Sequence, residues 1–291
     1  MKVLVTGANG QLGRALVRLA PAGVELLAYG RDALDVTQPQ SVPRVLAMEP
    51  AVIVNAAAYT AVDQAETERA AAYAVNVGGA EHMARAAREL GCRLVHISTD
   101  FVFDGAQGRP YTPESKPNPL NVYGASKLAG EQAAQAIKPD ALILRTAWLY
   151  GETGSNFVHS MLRLMRTRAE LHVVDDQIGT PTAVAGLAQC VWRAIEGRLL
   201  SGIQHWTDAG VASWYDFAVA IRQTAMALGL LQRPAAVLPV PSSAYPTPAS
   251  RPAFSVLDKT ATWRALALTP GHWSAALADT LAAVAKAGGD S

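Results

Sequence analysis

Residues 2–20, KVLVTGANGQLGRALVRLA, constrain the chain most: a short strand-like run, glycines at 7, 10 and 13, then an amphipathic helix. A strand that turns directly into a helix commits this region to a βα unit. Glycines let the turn be tight and let a bound group approach the backbone at the positive end of the helix. The spacing is G-x-x-G-x-x-G, not the G-x-G-x-x-G of the general dinucleotide fingerprint. A purely structural βα turn uses the same ingredients. The strand before the turn and the helix after it favour a pyrophosphate site built on Gly7, Gly10 and Gly13.

The same alternation continues. Val3–Val5, Glu25–Ala28, Val52–Val54, Leu94–Ile97 and Leu142–Leu144 read as buried strands, and 11–20, 39–48, 64–90 and 124–137 as helices. This pattern predicts an α/β fold, a Rossmann-type doubly wound parallel sheet that presents ligands at the carboxyl edge of its strands. The second half is less regular. Helices are expected at Phe157–Arg168, Ala183–Glu196, Ser213–Leu228 and Ser274–Lys286, with Ser213 and Ser274 as N-caps, and short strands near 203–206 and 237–240 flank a proline-rich stretch, 239–252. We read a dinucleotide-binding unit over 1–150 and a smaller α/β substrate-binding cap over 151–291, with parts of 183–207 returning to the first unit. Residues 288–291 are expected to fray.

Composition excludes several classes of partner. Lys+Arg total 25 against 24 Asp+Glu, with no block of like charge, so neither nucleic acid nor an anionic membrane has an electrostatic footprint. Apolar runs stop well short of the ~20 residues of a membrane span, and the first ten residues are too short an apolar stretch for a signal-peptide core. Cys92 and Cys190 have no redox or metal spacing and the six histidines are scattered, so no metal site is expected and the setting is read as the reducing cytoplasm.

Four further features suggest chemistry. After the second strand, where an acidic residue would hold a ribose 2′-hydroxyl and an arginine a 2′-phosphate, stand Gly30 and Arg31, which points to NADPH. A solvated surface arginine is the alternative for Arg31, and Asp35 and Val36 would flank the adenine. In NVYGASKLAGEQ, Tyr123 and Lys127 lie four residues apart on one helix face, after a long connection, Phe103–Asn121, without helical or strand pattern. A free phenol titrates near ~10, and a neighbouring ammonium is expected to lower that value and to reach a nicotinamide ribose. Ser98 and Thr99, at the end of LVHIST, offer a hydroxyl to orient a carbonyl. Arg251, in SRPAFSVLD, is a candidate phosphate clamp or else a cap-stabilising ion pair.

With these pieces in place the chain resembles the extended short-chain dehydrogenase/reductases, and among them the dTDP-4-dehydrorhamnose reductases. The resemblance rests on TGANGQLG, VNAAAYTAVDQAE, STDFVFDG, YGASKLAGE, RTAWLYG and DQIGTPT, in the family's order, over essentially the whole chain. It implies a catalytic set of Thr99, Tyr123 and Lys127. It places Gly10, Gln11 and Leu12 on the cofactor pyrophosphate and Ala58, Tyr59 and Thr60 along the cofactor. Asp100 and Trp148 would meet the deoxysugar nucleotide, and Asn76 would prop the helices and a proton-relay water. An ordinary helix residue and a core aromatic are the bland alternatives for Asn76 and Trp148.

The implied reaction is NADPH-dependent reduction, with NADH also accepted, of the C4 ketone of dTDP-4-dehydro-6-deoxy-L-mannose to dTDP-L-rhamnose. That is the last step of a pathway feeding cell-envelope polysaccharide, catalysed by a monomer or homodimer. Two departures stand out. Phe101 replaces the tyrosine common after the S-T-D acid. Ala15, after Arg14, stands in the helix where some members carry an acidic residue for a magnesium-bridged dimer, so magnesium is not supported. A 4,6-dehydratase needs an acid pair where Thr99-Asp100-Phe101 has one carboxylate. A nucleotide-sugar 4-epimerase uses the same triad, and the non-catalytic regulatory subunit of methionine adenosyltransferase also resembles this family.

Overall fold

Runs such as Val3–Val5 and Val52–Val54 have no polar side to offer water, and all six residues are at most 3% exposed. They become central strands of a sheet covered on both faces. The computed structural model describes residues 1–197 and 200–289. Its strands are β1 (Lys2–Thr6), β2 (Glu25–Tyr29), β3 (Val52–Asn55), β4 (Arg93–Thr99), β5 (Leu142–Thr146), β6 (Leu149–Tyr150), β7 (Glu170–Val174), β8 (Ile178–Gly179), β9 (Thr182–Ala183), β10 (Gly202–His205), β11 (Ala212–Ser213) and β12 (Ala236–Val240). Its α-helices are α1 (Gln11–Arg18), α2 (Ser41–Met48), α3 (Val62–Ala65), α4 (Arg69–Tyr73), α5 (Gly79–Glu89), α6 (Val122–Ile137), α7 (Phe157–Thr167), α8 (Val184–Gly197), α9 (Trp214–Ala227), α10 (Thr260–Leu266) and α11 (Trp273–Gly289).

Six strands form one parallel sheet in the order β2-β1-β3-β4-β5-β10. The strand order reverses between β1 and β3, the crevice where open α/β sheets bind ligands. Side chains alternate between the faces: Val3, Val5, Val52, Val54, Leu142 and Leu144 pack with α1 and α8, and Leu4, Ile53, Leu94 and Ile143 pack with α2 and α5. Helix α8 and strand β10 thus come back to this sheet after α7 and β7. Trp192 Nε1 of α8 donates to the Leu16 carbonyl of α1 (3.2 Å), and β10 pairs with β5.

A second core holds α7, α9 and the start of α11 together around Met165, Phe217, Ile221, Leu277 and Leu281, flanked by the parallel pair β7–β12. Ser213 caps α9 in a reciprocal capping box with Asp216, as its sequence context predicts. Ser274 does not cap α11: that helix begins one residue earlier, at Trp273, and the Ser274 N–H faces His272 Nδ1 at 3.3 Å. The expected fraying from 288 is not seen at Gly288 and Gly289, which continue α11, while Asp290 and Ser291 lie outside the described residues. Among the described residues no helix is long and apolar enough to cross a membrane.

The helix expected over 64–90 is broken into α3, α4, a π-helical turn (Ala74–Gly78) and α5. The reason is packing against α6, where Gly130 brings the backbone so close that a Cβ would lie 2.1 Å from the Asn76 carbonyl. The widened turn lets Asn76 face inward, fully buried.

Helix α6 is fastened to the sheet by a buried ion pair. Arg145 of β5 donates from Nε and Nη2 to the two carboxylate oxygens of Glu131 (2.9 and 2.6 Å), and Ser98 of β4 donates to the same carboxylate. Both charged side chains are 1% exposed, and the guanidinium lies 5.1 Å from the centre of the Phe103 ring. Removing one partner strands the other charge in the core. Glu131→Gln is therefore expected to cost about 3–5 kcal/mol in urea unfolding, while the apolar double replacement Glu131→Leu/Arg145→Met recovers most of that loss. A loss below about 1 kcal/mol in the single variant would mean that water reaches the pair.

Candidate active site

The carboxyl ends of β1, β3, β4 and β5 open into one cleft of about 840 Å³. At its floor the glycine turn is built as the spacing implies. Gly7 has φ +67°, and a Cβ there would sit 2.7 Å from the Ala57 amide nitrogen; a Cβ on Gly13 would sit 2.3 Å from the Gly7 carbonyl oxygen. No L side chain fits at either position, and the Gly10 N–H closes the turn on that carbonyl at 3.0 Å. Gln11 and Leu12 start α1 at the cleft wall, with the positive end of the helix beside them. The turn, its bare backbone and the cleft fit the diphosphate of a dinucleotide.

The second wall is the segment after β3. Ala58, Tyr59 and Thr60 line the cleft, and Asn76 lies behind them, outside it. Asn76 Oδ1 accepts from the Tyr59 N–H (2.9 Å), and its amide donates to Ser126 Oγ (2.9 Å) and to the Tyr59 carbonyl (3.3 Å). It therefore ties the cofactor wall to α6. At the far end Arg31, with its side chain 78% exposed, stands 3.6 Å from Asp35 at the rim, and Val36 is buried beneath. Asn9, which the sequence reading missed, crosses Gly30: a Cβ on Gly30 would lie 2.2 Å from Asn9 Nδ2. Its only signal was its place inside the glycine turn.

Thr99, Asp100, Tyr123 and Lys127 meet at the centre of the cleft. The Asn121 side chain caps α6 by accepting from the Gly124 N–H (2.8 Å), which sets Tyr123 in the first turn and Lys127 one turn deeper. Lys127 is 2% exposed and donates to the Ile97 carbonyl at 2.6 Å. Burial lowers it to about 8, opposed by the Glu131 charge. Thr99 Oγ1 accepts from the Phe101 N–H (3.2 Å) and donates to Asp100 Oδ1 (3.0 Å). The lowered phenol expected for Tyr123 is not found in this state. Burial pushes it up to about 12 with the Asp100 charge adding to the effect, although the Thr99 hydroxyl opposes them and the ring edge stays open to the cleft. The ammonium is held instead by the Ile97 carbonyl.

Asp100 is 1% exposed, and burial raises its carboxyl to about 6 despite the Ser255 and Thr99 hydroxyls beside it. No group gives its Oδ2 a well-formed hydrogen bond. The opposite side of the cleft is aromatic. Trp148, at φ +46°, stacks on Trp214 with ring centres 3.5 Å apart and planes 4° from parallel, and Phe157 leans on Trp214 at 4.7 Å. Trp214 was also missed; its signal was an indole directly after the Ser213 cap. Arg251 lines the cleft and donates to Asp63 Oδ2 at 2.8 Å, so the ion pair and the cleft position expected as alternatives coexist. Ala15 is buried on α1, and among the described residues no group of three His, Cys, Asp or Glu side chains could hold a metal.

Comparison with known proteins agrees with this geometry. The model of the RmlD substrate binding domain family matches residues 1–286. The dTDP-4-dehydrorhamnose reductase of Aggregatibacter actinomycetemcomitans is 43% identical over 95% of this chain and 97% of its own. The dTDP-4-keto-6-deoxy-D-glucose reductase of Streptomyces niveus is 46% identical over 94% of each. The crystal structure of the Bacillus anthracis dTDP-4-dehydrorhamnose reductase in complex with NADP superposes with a TM-score of 0.90 at 39% identity, covering 96% of this chain and 98% of that one.

The buried, under-bonded Asp100 has a cost in stability. Its pKa is near 3.8 unfolded and about 6 folded, so between those values the folded state holds more protons and stability falls as pH rises. Asp100→Asn keeps the acceptor oxygen and removes the charge. It is expected to unfold later than the native chain at pH 7, by on the order of 2 kcal/mol, and to match it at pH 4. Equal melting temperatures at both pH values would contradict the burial of this carboxylate.

Proposed function

The chain belongs to the RmlD substrate binding domain family, and we propose that it reduces the C4 ketone of dTDP-4-dehydro-6-deoxy-L-mannose to dTDP-L-rhamnose, using NADPH. One observation carries the reading: a glycine-built diphosphate cradle and the set Thr99, Tyr123 and Lys127 share one cleft. It is an oxidoreductase acting on a nucleotide sugar in dTDP-rhamnose biosynthesis. The reading includes a small-molecule partner, a cytoplasmic location and a monomer or homodimer, and it needs no metal.

NADPH held along the glycine turn and residues 58–60 would supply the hydride for the sugar C4. The chain's own residues bind, orient and handle the proton. Tyr123, half-buried in the cleft and protonated at neutral pH, is in the state that a reduction requires, and it donates its phenolic proton to the carbonyl oxygen as charge develops there. Thr99 is fixed between the Phe101 amide and Asp100, beside the phenol, and orients that oxygen. Lys127, anchored by one hydrogen bond to the Ile97 carbonyl, has two N–H donors left, which would serve the nicotinamide ribose. Asp100, at the cleft beside Thr99, is the residue assigned to the sugar hydroxyls by the family resemblance. The indole of Trp148, held by Trp214, covers the apolar side of a sugar whose C6 is a methyl. Arg251 takes the diphosphate.

At the other end of the cleft, Arg31 would meet a 2′-phosphate, Gln11 and Leu12 the pyrophosphate, and Asp35 and Val36 the adenine; their common lining of the cleft supports this. A second reading, reduction of another 4-keto-6-deoxysugar nucleotide, has the Streptomyces niveus relative in its favour. Dehydration is disfavoured by the single carboxylate of Thr99-Asp100-Phe101.

Tyr123→Phe keeps the ring and its edge contact with Phe101, 5.6 Å between centres, and removes only the proton donor. Turnover should fall by ~10²-fold or more while NADPH affinity, read by fluorescence titration, is retained. Turnover near the native rate would remove Tyr123 from the chemistry.

A further inference from the structure

The stretch VDQAE, within the motif VNAAAYTAVDQAE, has no part in the chemistry above. It folds as α3 and places two carboxylates against the substrate side of the cleft. Asp63 Oδ2 accepts from Arg251 Nη2 at 2.8 Å, and its Oδ1 accepts from the Ala249 N–H at 3.2 Å. Arg251 Nη1 donates in turn to the Ala249 carbonyl at 3.0 Å, closing a ring of carboxylate, guanidinium and peptide. The intervening Ser250 carbonyl accepts from Asn121 Nδ2 at 2.7 Å, and this is the same Asn121 that caps α6 two residues before Tyr123. Glu66, at the end of α3, accepts from the Val122 N–H at 2.9 Å.

We infer that Asp63 is a positioning residue: it holds the Arg251 guanidinium towards the cleft, and with Asn121 it fixes residues 249–251 to the catalytic helix, so that the grip on a nucleoside diphosphate and the seat of Tyr123 share one frame. This rests on the reading of Arg251 as the diphosphate ligand. A guanidinium has five N–H donors; Asp63 and Ala249 take two, and three remain for phosphate oxygens. An arginine already held in place has little rotamer freedom left to lose when the ligand binds. The side chains of Arg251 and Asp63 are 22% and 41% exposed. Water reaches both side chains, so replacing one strands no fully buried charge, and retained NADPH affinity in the variants separates lost placement from unfolding.

The test is Asp63→Asn in the full chain, by calorimetric titration with dTDP and by steady-state kinetics with the 4-keto sugar nucleotide. The dTDP Kd and the sugar-nucleotide KM should each rise about tenfold. kcat should change by less than about threefold, with NADPH affinity kept. Asp63→Glu should restore part of the loss, and in an Arg251→Ala background Asp63→Asn should add nothing. Unchanged or tighter dTDP binding, a parallel loss of NADPH affinity, or a full additional loss on top of Arg251→Ala would each overturn the role of Asp63. If Arg251→Ala itself binds dTDP normally, the diphosphate assignment beneath it fails. A weakened Arg251→Ala beside a silent Asp63→Asn removes only the positioning role.

Discussion

The active site depends on a charge pair that never touches it. Glu131 and Arg145 lie wholly inside the sheet–helix interface, and their bidentate contact sets the rotation and height of α6 over β4 and β5. Tyr123, Lys127 and Glu131 recur at four-residue spacing along that helix, so anchoring Glu131 also aims the other two into the cleft. Taken alone, such a pair is weak evidence of stability, since apolar residues could fill the same space. Here it gives orientation, and its negative end also helps to keep Lys127 charged where burial works against that charge.

Around this anchor the protein accepts local costs where ligands are to bind. Asp100 is buried with an oxygen left unpaired. Trp148 takes a left-handed backbone that only glycine adopts freely, held there by stacking on Trp214 and by the space that Gly179 leaves beside the indole. Tyr123 is held in its neutral form by its desolvation in the cleft and by the Asp100 charge beside it. Each is unfavourable in a core and useful in a site that must bind a polar sugar and deliver one proton.

Much of this was legible in the sequence because it is written in local patterns. The strands of the main sheet are short apolar runs, the glycine turn joins a strand to a helix, and Ser213 announces α9 three residues before Asp216. What escaped depends on distant contacts. The π-helical turn at Asn76 exists because Gly130, far along the chain, admits its backbone. The two-residue strands β6, β8, β9 and β11 are too short for any periodicity to show. Trp214 reaches the cleft only because the cap folds over it, and both partners of Asp63, the Ala249 N–H and the Arg251 guanidinium, come from that cap. The lysine-lowered phenol was misjudged for a similar reason: spacing puts the ammonium near Tyr123, but the Ile97 carbonyl, thirty residues upstream of Lys127, holds it.

The central claim is that this cleft adds one hydride and one proton across the C4 carbonyl of a dTDP-4-keto-6-deoxysugar. The most direct measurement supplies dTDP-4-dehydro-6-deoxy-L-mannose with NADPH deuterated at the transferring position of the nicotinamide ring, and reads the product by NMR. The account predicts one NADPH consumed per sugar, a single deuterium at C4, and dTDP-L-rhamnose as product. Interconversion of UDP-hexoses without net NADPH consumption, or no reaction with the 4-keto sugar, would contradict it.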